Sequence, residues 1–336
     1  MITRRTALTG AAALGASLSM PTLIRAQARE PLTVMTPFGY ISDFIEMMNA
    51  VSGGHFAAQG FDAKLLGGQG TAQALQQLIA GQVAFVRSAA IDQLRAVATT
   101  NAPLVSFSTL YQGSTFHVVS LKDKPITRAE DFKGKTVGLV SVGGTTDTFL
   151  DLMLQKVGLK KDDVWREVTG NSPGALQVLK QGRVDCFMCA INVVVTLQQM
   201  KEPIEVWSTD RYAPMPSQCY LTTQAMIDTK PEVMQRITRA MKASVDEMMT
   251  KPVKEIFQRA AKDFDIPGIR DLDTLVMVAD AARERLWLSE GKENLMRNVP
   301  RLWTAGAEAL RASGVADVKN VEALYTNRFI DAAKPA

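Results

Sequence analysis

The chain has 336 residues, of which 46% are hydrophobic, and its formal net charge is +4. Without the three arginines of the N-terminal segment (Arg4, Arg5 and Arg25) this charge falls to +1, so it gives no argument for nucleic-acid binding. No later apolar run approaches the length of a membrane span, and the remaining residues, roughly three hundred, suffice for more than one hydrophobic core.

Residues 1–28 have the pattern of a signal peptide. Arg4 and Arg5 form a twin-arginine-like start, a stretch rich in Ala, Leu and Gly follows, and Ala26-Gln27-Ala28 supplies small residues where signal peptidase cuts. We therefore expect cleavage near Ala28 and a periplasmic location. A general secretory signal that happens to contain two arginines is the alternative route, and an uncleaved anchor is the alternative fate.

Short apolar strands alternate with helices through the first part of the mature chain. Strands are predicted at 32–35, 61–66, 83–86 and 104–110, with helices at 43–51, 71–80 and 89–98. This alternation is typical of a parallel sheet covered by helices on both faces. The sequence therefore predicts an α/β architecture.

A ten-residue pattern in this region returns about a hundred residues later. Residues 74–83 and 175–184 both read Ala-Leu-Gln-x-Leu-x-x-Gly-x-Val. Each copy predicts a helix with an N-cap oxygen at Thr71 or Ser172, a left-handed stop at Gly81 or Gly182, and then a strand. A repeat of this spacing indicates two similar α/β lobes, with a ligand held between them.

The strand and helix pattern restarts near Thr115, and from Lys230 onward the chain is helical in pattern. Residues 218–222 read as a strand that carries the chain back, and the final helices must pack on a sheet already formed. We therefore predict a discontinuous lobe one, residues 29–115 plus 222–336, and a lobe two of residues 116–221. The chain would cross between the lobes near Thr115 and Leu221, and these two crossings would form a hinge.

The three cysteines do not predict a redox or metal centre. Cys186 and Cys189 continue an apolar run, and an extended pair at this spacing is roughly 10 Å apart, beyond the reach of a disulfide. Buried thiols are expected, although the sequence leaves open whether Cys186, Cys189 and Cys219 are free or paired.

Several short motifs, in their order and spacing, resemble those of the NMT1/THI5-like family of periplasmic solute-binding proteins. They are Gly60-Phe61-Asp62, residues 66–71 (Leu-Gly-Gly-Gln-Gly-Thr), residues 80–85, residues 132–138, Val157-Gly158-Leu159 and residues 181–185. The resemblance covers nearly the whole mature chain. It departs at Ala84, where the family usually has an aspartate; lobe two keeps the equivalent Asp185.

The resemblance implies a periplasmic binding protein-like fold of type II, with lobes that close on a small solute and present it to an ABC permease and its ATPase. Family ligands include sulfonates, aromatic acids, pyrimidine precursors of thiamine, and flavins. The same fold also includes a pyrimidine synthase that uses iron and a pyridoxal group. Cys186 and Cys189 do not match its cysteine-rich motif, so the enzyme is the weaker alternative.

Ligands of open parallel sheets bind beyond the carboxyl ends of the strands, where loops lead into helix N-termini. Glycines there let backbone N–H groups approach a ligand, and helix N-termini favour negative charge. The candidate ligand-binding residues are Phe38, Tyr40, Gln69, Gly70, Thr71, Arg87, Ser88, Gly143, Gly144, Thr145, Thr146, Asn171, Ser172 and Asn192.

Arg87 is the principal candidate, because it ends an apolar strand where a charge is unexpected. Its guanidinium could hold a carboxylate or sulfonate through two hydrogen bonds. The repeat places Met188 opposite Arg87, so only one lobe offers the charge, and a small organic monoanion is the expected solute. The alternative is a surface or salt-bridged arginine, with Asp92 as a candidate partner.

The chain contains no run of metal ligands. We expect a binding protein and not an enzyme, a monomer without a metal or cofactor, and no nucleic-acid partner.

Overall fold

The computed structural model describes residues 28–333. The predicted signal peptide therefore lies outside the described residues, except for Ala28 at its end. None of the helices in the described range is both long and apolar enough to cross a membrane.

The described residues form two five-stranded sheets. The first contains β1 (Glu30–Thr36), β2 (Phe61–Gly67), β3 (Val86–Ala89), β4 (Leu104–Tyr111) and β10 (Gln218–Thr223), in the order β2-β1-β3-β10-β4. The second contains β5 (Phe116–Leu121), β6 (Thr136–Leu139), β7 (Trp165–Val168), β8 (Cys186–Ala190) and β9 (Ile204–Ser208), in the order β7-β6-β8-β5-β9.

The two sheets have the same topology, which confirms the prediction of two similar α/β lobes. Position by position, β6 corresponds to β1, β7 to β2, β8 to β3, β9 to β4 and β5 to β10. Each sheet is mixed and not purely parallel, because β10 and β5 run antiparallel to both of their neighbours. These are the two strands that the chain forms just after it crosses from one sheet to the other.

Thirteen α-helices are found within residues 28–333. They are α1 (Ile45–Ser52), α2 (His55–Ala58), α3 (Thr71–Ile79), α4 (Ala90–Thr100), α5 (Thr145–Lys156), α6 (Ala175–Lys180), α7 (Ile191–Gln199), α8 (Gln224–Thr229), α9 (Pro231–Thr250), α10 (Val253–Ala260), α11 (Leu272–Ala282), α12 (Pro300–Ala312) and α13 (Arg328–Asp331). A π-helical turn, Arg283–Trp287, extends α11.

The two repeat copies are α3 and α6, each followed by a turn that leads to the next strand. Gly81 and Gly182 have φ of 71° and 72°, as predicted for left-handed stops. The predicted N-caps are wrong. Thr71 is the first residue of α3, and Gly70 is its N-cap; Gly174 is the N-cap of α6, two residues after Ser172. The N-cap of each helix is thus a glycine, and Thr71 lies in the first turn of α3.

The first crossing lies between β4 and β5, at 112–115, where the sequence predicts it. The second crossing lies at 209–217 and ends where β10 begins, so it precedes the expected position at Leu221. Residues 218–221 thus belong to the first sheet, although the sequence assigned them to lobe two. The alternation of apolar and polar residues in β10 is compatible with either sheet. Its pairing with β3 and β4 is what assigns it to the first sheet.

The final helices pack mainly around the first sheet. The longest of them, α9, lies against α1 and α2, and α13 contacts β4. Two others also reach the second sheet's helices: α11 packs against α7, and α12 contacts α5. The C-terminal helices therefore connect the two halves behind the strands as well as covering one of them.

Cys186 and Cys189 both lie on β8, and all three cysteines are buried and free. Burial raises the pKa of the Cys189 and Cys219 thiols to about 12. These thiols therefore act as small apolar core groups.

Candidate ligand-binding site

A cavity of about 410 Å³ lies between the two sheets. Its walls come from the loops after β1, β2, β6 and β7, from the ends of β3, β4 and β8, from the first turn of α4, and from the starts of β5 and β10. All of these meet at one edge of each sheet, because β5 and β10 run antiparallel to their neighbours. The cavity thus occupies the position expected for a ligand in an open α/β sheet, and its volume is suitable for a small organic molecule.

Eight of the fourteen predicted residues line this cavity. They are Phe38, Thr71, Arg87, Ser88, Gly144, Thr145, Thr146 and Asn171.

Three of the others support the cavity wall from behind. Tyr40 turns into lobe one, where its hydroxyl donates to the Leu65 carbonyl at 3.2 Å and its ring packs on Phe264. Gln69 and Gly70 pair their backbones with the loop that carries Phe38, through the Phe38–Gln69 bridge and a 2.7 Å hydrogen bond from the Gly70 N–H to the Pro37 carbonyl. They place Phe38, whose side chain is 51% exposed at the cavity.

The remaining three lie outside the lining in lobe two. Gly143 adopts a left-handed φ of 71°, and its N–H donates to Asp147 at 2.7 Å. The Ser172 carbonyl accepts from Ala175 at the start of α6. Asn192 lies in the first turn of α7, and its buried Oδ1 has no hydrogen-bond partner within residues 28–333.

Arg87 lines the cavity but is only 1% exposed, and its charge is compensated within the protein. One guanidinium nitrogen donates to Glu46 Oε1 at 2.8 Å and to the Asp43 carbonyl. The guanidinium also lies over the Phe44 and Tyr111 rings, with its carbon 5.0 and 4.3 Å from their centroids. Its partner is therefore Glu46 and not Asp92.

Glu46 lies on α1, is fully buried, and also accepts a 3.0 Å hydrogen bond from the Tyr220 hydroxyl. Burial lowers the pKa of Arg87, but Glu46, Tyr111 and Tyr220 together raise it by more, so the pKa stays above its ordinary value. The pair is a buried, hydrogen-bonded structural element at the floor of the cavity. This arrangement removes the argument that Arg87 is a free anion anchor.

Two carboxylates that were not predicted as ligands also line the cavity, Asp43 and Asp92. Asp43 follows the loop after β1, and Asp92 lies in the first turn of α4; both are partly buried. Burial raises the pKa of Asp92 to about 6, with Arg95 and the Ser88 hydroxyl lowering it in part. Burial also raises the pKa of Asp43, against the lowering effect of Arg87.

Lobe two contributes neutral groups to the cavity wall. Thr146 accepts from the Val140 N–H at 3.1 Å, and Asn171 Oδ1 accepts from the Ala190 N–H at 2.9 Å. These bonds fix the loop after β6 and the end of β8. Thr145, at the start of α5, completes this wall.

Sequence reasoning missed several apolar or uncharged residues of the lining, including Phe44, Tyr111, Phe116 and Gln218. Tyr111 ends β4, and Phe116 and Gln218 begin β5 and β10, so all three flank the crossings. The signal that could have found them is the hinge itself: residues next to a predicted crossing lie at the base of the cleft.

Within residues 28–333, no group of three or more His, Cys, Asp or Glu side chains is arranged to hold a metal ion.

The architecture is similar to those of several solved structures. A protein of Bordetella bronchiseptica RB50 superimposes with a TM-score of 0.67 and 21% identity, over 91% of this chain and 97% of that one. The periplasmic aliphatic sulphonate-binding protein SsuA of Escherichia coli superimposes with a TM-score of 0.64 and 16% identity, over 85% and 86% of the two chains. The fold is therefore that of periplasmic binding proteins.

The NMT1/THI5-like family model matches residues 41–255, more than half of the chain. The chain therefore belongs to the NMT1/THI5-like family, as the sequence motifs indicate.

A curated relative, the 4-amino-5-hydroxymethyl-2-methylpyrimidine phosphate synthase of Aspergillus parasiticus, is 26% identical over 219 residues. That match covers 60% of this chain and 62% of the relative, so the chain spans less than two thirds of the length of that enzyme.

Proposed function

We propose that this protein is the exported solute-binding component of an ABC importer. It captures a small organic solute between its two lobes, without chemical change, and delivers it to a membrane permease with an associated ATPase. Cleavage near Ala28 would accompany export, and the mature protein would act in the periplasm as a monomer.

The observation that carries this proposal is the cavity at the matching edges of two topologically equivalent sheets. It is lined by several apolar side chains, among them Phe38, Phe44, Tyr111 and Phe116, with a small number of polar groups between them. This composition is typical of sites that hold a small solute by burial of its apolar body and select it by a few polar contacts. A sulfonate-binding protein has the same fold.

Opening and closing would take place at the two crossings. Segments 112–115 and 209–217 are joined by a 2.7 Å hydrogen bond from the Ser114 N–H to Asp210 and by a 2.9 Å bond from the Ser217 N–H to the Tyr111 carbonyl. Two adjacent, mutually bonded connections can absorb a rotation while they keep the lobes in register.

The sequence-based expectation of an anionic solute, a sulfonate or an aromatic carboxylate, depended on a free Arg87. With Arg87 paired to Glu46, that expectation keeps only the support of the helix N-termini at Thr71 and Thr145.

The test is identification of the captured solute. The protein is expressed with its own signal, purified from the periplasm, and examined by native mass spectrometry for a bound molecule, which is then released and identified. We expect one bound molecule per chain, recovered with unchanged mass after prolonged incubation at 37 °C. A bound molecule that is converted to a product would contradict the proposal.

The second candidate is an enzyme related to the pyrimidine phosphate synthase, and the identity over 219 residues favours it. Incubation with pyridoxal phosphate and iron, followed by product analysis, distinguishes the two: a pyrimidine product supports the enzyme.

A further inference from the structure

The charged side chains that line the cavity within residues 28–333 are Asp43, Arg87 and Asp92. The guanidinium of Arg87 is held by Glu46 at one edge and covered by aromatic rings. The two aspartates have no cationic side chain within 4.0 Å among the residues described, since neither belongs to an ion pair there. The charge left over at the cavity is therefore negative.

Burial makes this negative charge energetically unfavourable. A carboxylate taken out of water without a partner costs several kcal/mol or takes up a proton. The Ser88 hydroxyl, 0% exposed and part of the same wall, lies beside Asp92 but forms no hydrogen bond of standard geometry with any of the described residues. Three polar groups of lobe one thus converge on the cavity with unused hydrogen-bonding capacity: the carboxylates of Asp43 and Asp92 and the hydroxyl of Ser88.

The helix N-termini at the cavity do not reverse this balance. A helix N-terminus carries the equivalent of about half a positive charge. In α5 the first turn also contains Asp147, which accepts the Gly143 N–H at 2.7 Å and pairs with Arg166 at 2.9 Å, so this N-terminus adds at most about half a positive charge. The N-terminus of α3, at Thr71, faces the cavity without an acidic residue in its first turn, and the two N-termini together carry less charge than two carboxylates.

We infer that the solute is a small organic cation, a protonated amine or amidine on an aromatic or alkyl body. Asp43 and Asp92 receive its N–H donors, Ser88 adds a hydroxyl contact, and the body lies against Phe38, Phe44 and Phe116. This inference rests on the proposed function of solute capture and specifies the substrate class of the same cavity.

Such a solute would bind more tightly as the pH rises. The groups that face Asp92 are Arg95 on its own helix, Ser88 on β3, and the Asp43 and Arg87 side chains that line the same cavity. Because burial raises the pKa of Asp92 to about 6, this carboxyl is mostly protonated at pH 5 and ionised at pH 7.5. One carboxylate with this pKa makes the affinity for a cation roughly tenfold higher at pH 7.5 than at pH 5. An anionic solute would show the opposite trend.

The experiment uses three probes of similar shape and different charge: 2-phenylethylamine, 2-phenylethanol and phenylacetate. Binding is measured by calorimetry and by thermal shift at pH 5 and pH 7.5, with the mature protein after its resident solute has been removed by unfolding and refolding. The variants are Asp92→Asn, Asp43→Asn and, as a matched control, Asp123→Asn, whose side chain is exposed and lies outside the cavity.

We expect the amine to bind most tightly, with the roughly tenfold pH effect given above, and its affinity to fall at least tenfold in Asp92→Asn but not in Asp123→Asn. The Asp92→Asn protein should fold normally, since it removes a poorly solvated charge; if Asp43→Asn fails to fold, Asp92→Asn carries the test.

Tighter binding of phenylacetate than of the amine, or no binding of the amine, would overturn the inference. If the protein binds phenylacetate more tightly and does not convert it chemically, the inferred solute class is wrong but the proposed function is still supported. Chemical conversion of the solute would overturn the proposed function itself.

Discussion

The ion pair between Arg87 and Glu46 is the residue-scale feature on which the floor of the cavity depends. Both side chains are almost completely buried, and the pair holds Asp43 and Tyr220 through further hydrogen bonds. A buried pair of this kind adds little net stability compared with an apolar pair, but removal of one partner leaves an uncompensated charge in the core.

Arg87→Ala should therefore lower the free energy of unfolding by about 3–5 kcal/mol, measured by urea denaturation at pH 7.5. The matched control is Arg183→Ala, because Arg183 forms an exposed ion pair with Glu167 and should cost at most about 1 kcal/mol. The double variant Arg87→Met with Glu46→Leu should recover much of the loss. Equal stability of the two single variants would show that the pair is not structural.

Asp92 provides a residue-scale prediction about pH. Its pKa is raised from an ordinary value near 3.8 to about 6. Between these two pH values Asp92 is protonated in the folded protein without solute but ionised in the unfolded chain. Stability contributed by this group is therefore lost as the pH rises from about 4 to about 6, by at most about 3 kcal/mol.

Asp92→Asn should be more stable than the parent at pH 7.5 and equal to it near pH 4, as measured by thermal unfolding without solute. A variant that is less stable at both pH values would show that the carboxylate has a partner inside the protein.

At the scale of elements, comparison of the two repeat copies shows which structural features follow from the local sequence alone. In both, the glycine after the helix adopts φ near +70°, because a left-handed stop is accessible to glycine at little steric cost. The position just before β3 and β8 differs between the two copies. In lobe two the Asp185 side chain accepts the Thr136 N–H at 2.9 Å, whereas lobe one has Ala84 at this position and lacks the side-chain contact. The backbone bond at the same position, from Ala84 to Thr33 or from Asp185 to Thr136, is kept in both at 2.8 Å.

Gly182→Ala should destabilise the protein by about 1 kcal/mol, because a Cβ at this position meets no atom within 4 Å and only the left-handed conformation is penalised. The control is Gly174→Ala. Gly174 is the N-cap of the same helix, α6, and has a φ of −60°, so this substitution should change stability by only a few tenths of a kcal/mol. Chemical denaturation measures both, and equal effects would contradict a conformational origin.

At the scale of the whole molecule, the lobes meet in three places: the two crossings, the cavity and the helices behind them. There, α11 of the C-terminal region packs against α7, with a 3.4 Å hydrogen bond between Thr274 and Gln199. The π-helical turn that follows α11 accepts the Gln112 and Gly113 N–H groups at its Leu286 carbonyl, which ties this region to the first crossing. A bound solute adds contacts across the cleft and should favour the closed arrangement.

Solute binding should therefore decrease the radius of gyration measured by small-angle X-ray scattering, and a hundredfold excess over Kd should stabilise the folded protein by about 2.7 kcal/mol. Under the cation hypothesis, the Asp92→Asn variant at the same solute concentration should be stabilised less, by at most about 1.4 kcal/mol after a tenfold loss of affinity. A radius that does not respond to a saturating solute would contradict lobe closure.

Much of the fold could be predicted, because it depends on patterns that span only a few residues. The strands and helices follow from apolar periodicity, and the two lobes follow from the repeat at residues 74–83 and 175–184. The sheet that takes β10 could not be predicted, since its alternation suits either sheet. Of the residues that line the cavity, Phe38, Thr71 and Ser88 lie where strand ends indicate, whereas Tyr111 and Phe116 come from a crossing whose geometry the sequence leaves open. The ligand-binding role of these residues stays a prediction.

Local sequence patterns are sufficient to predict an α/β protein of two similar lobes, the place of the cleft at the strand ends, and the family. The charge of that cleft, in contrast, depends on contacts between residues that are far apart in the sequence. Arg87 and Glu46 are 41 residues apart, and whether the two charges cancel depends on which face α1 turns toward β3. Side-chain periodicity predicts that a face is buried, but it does not predict the partner on the other side, and electrostatic compensation is a property of the pair.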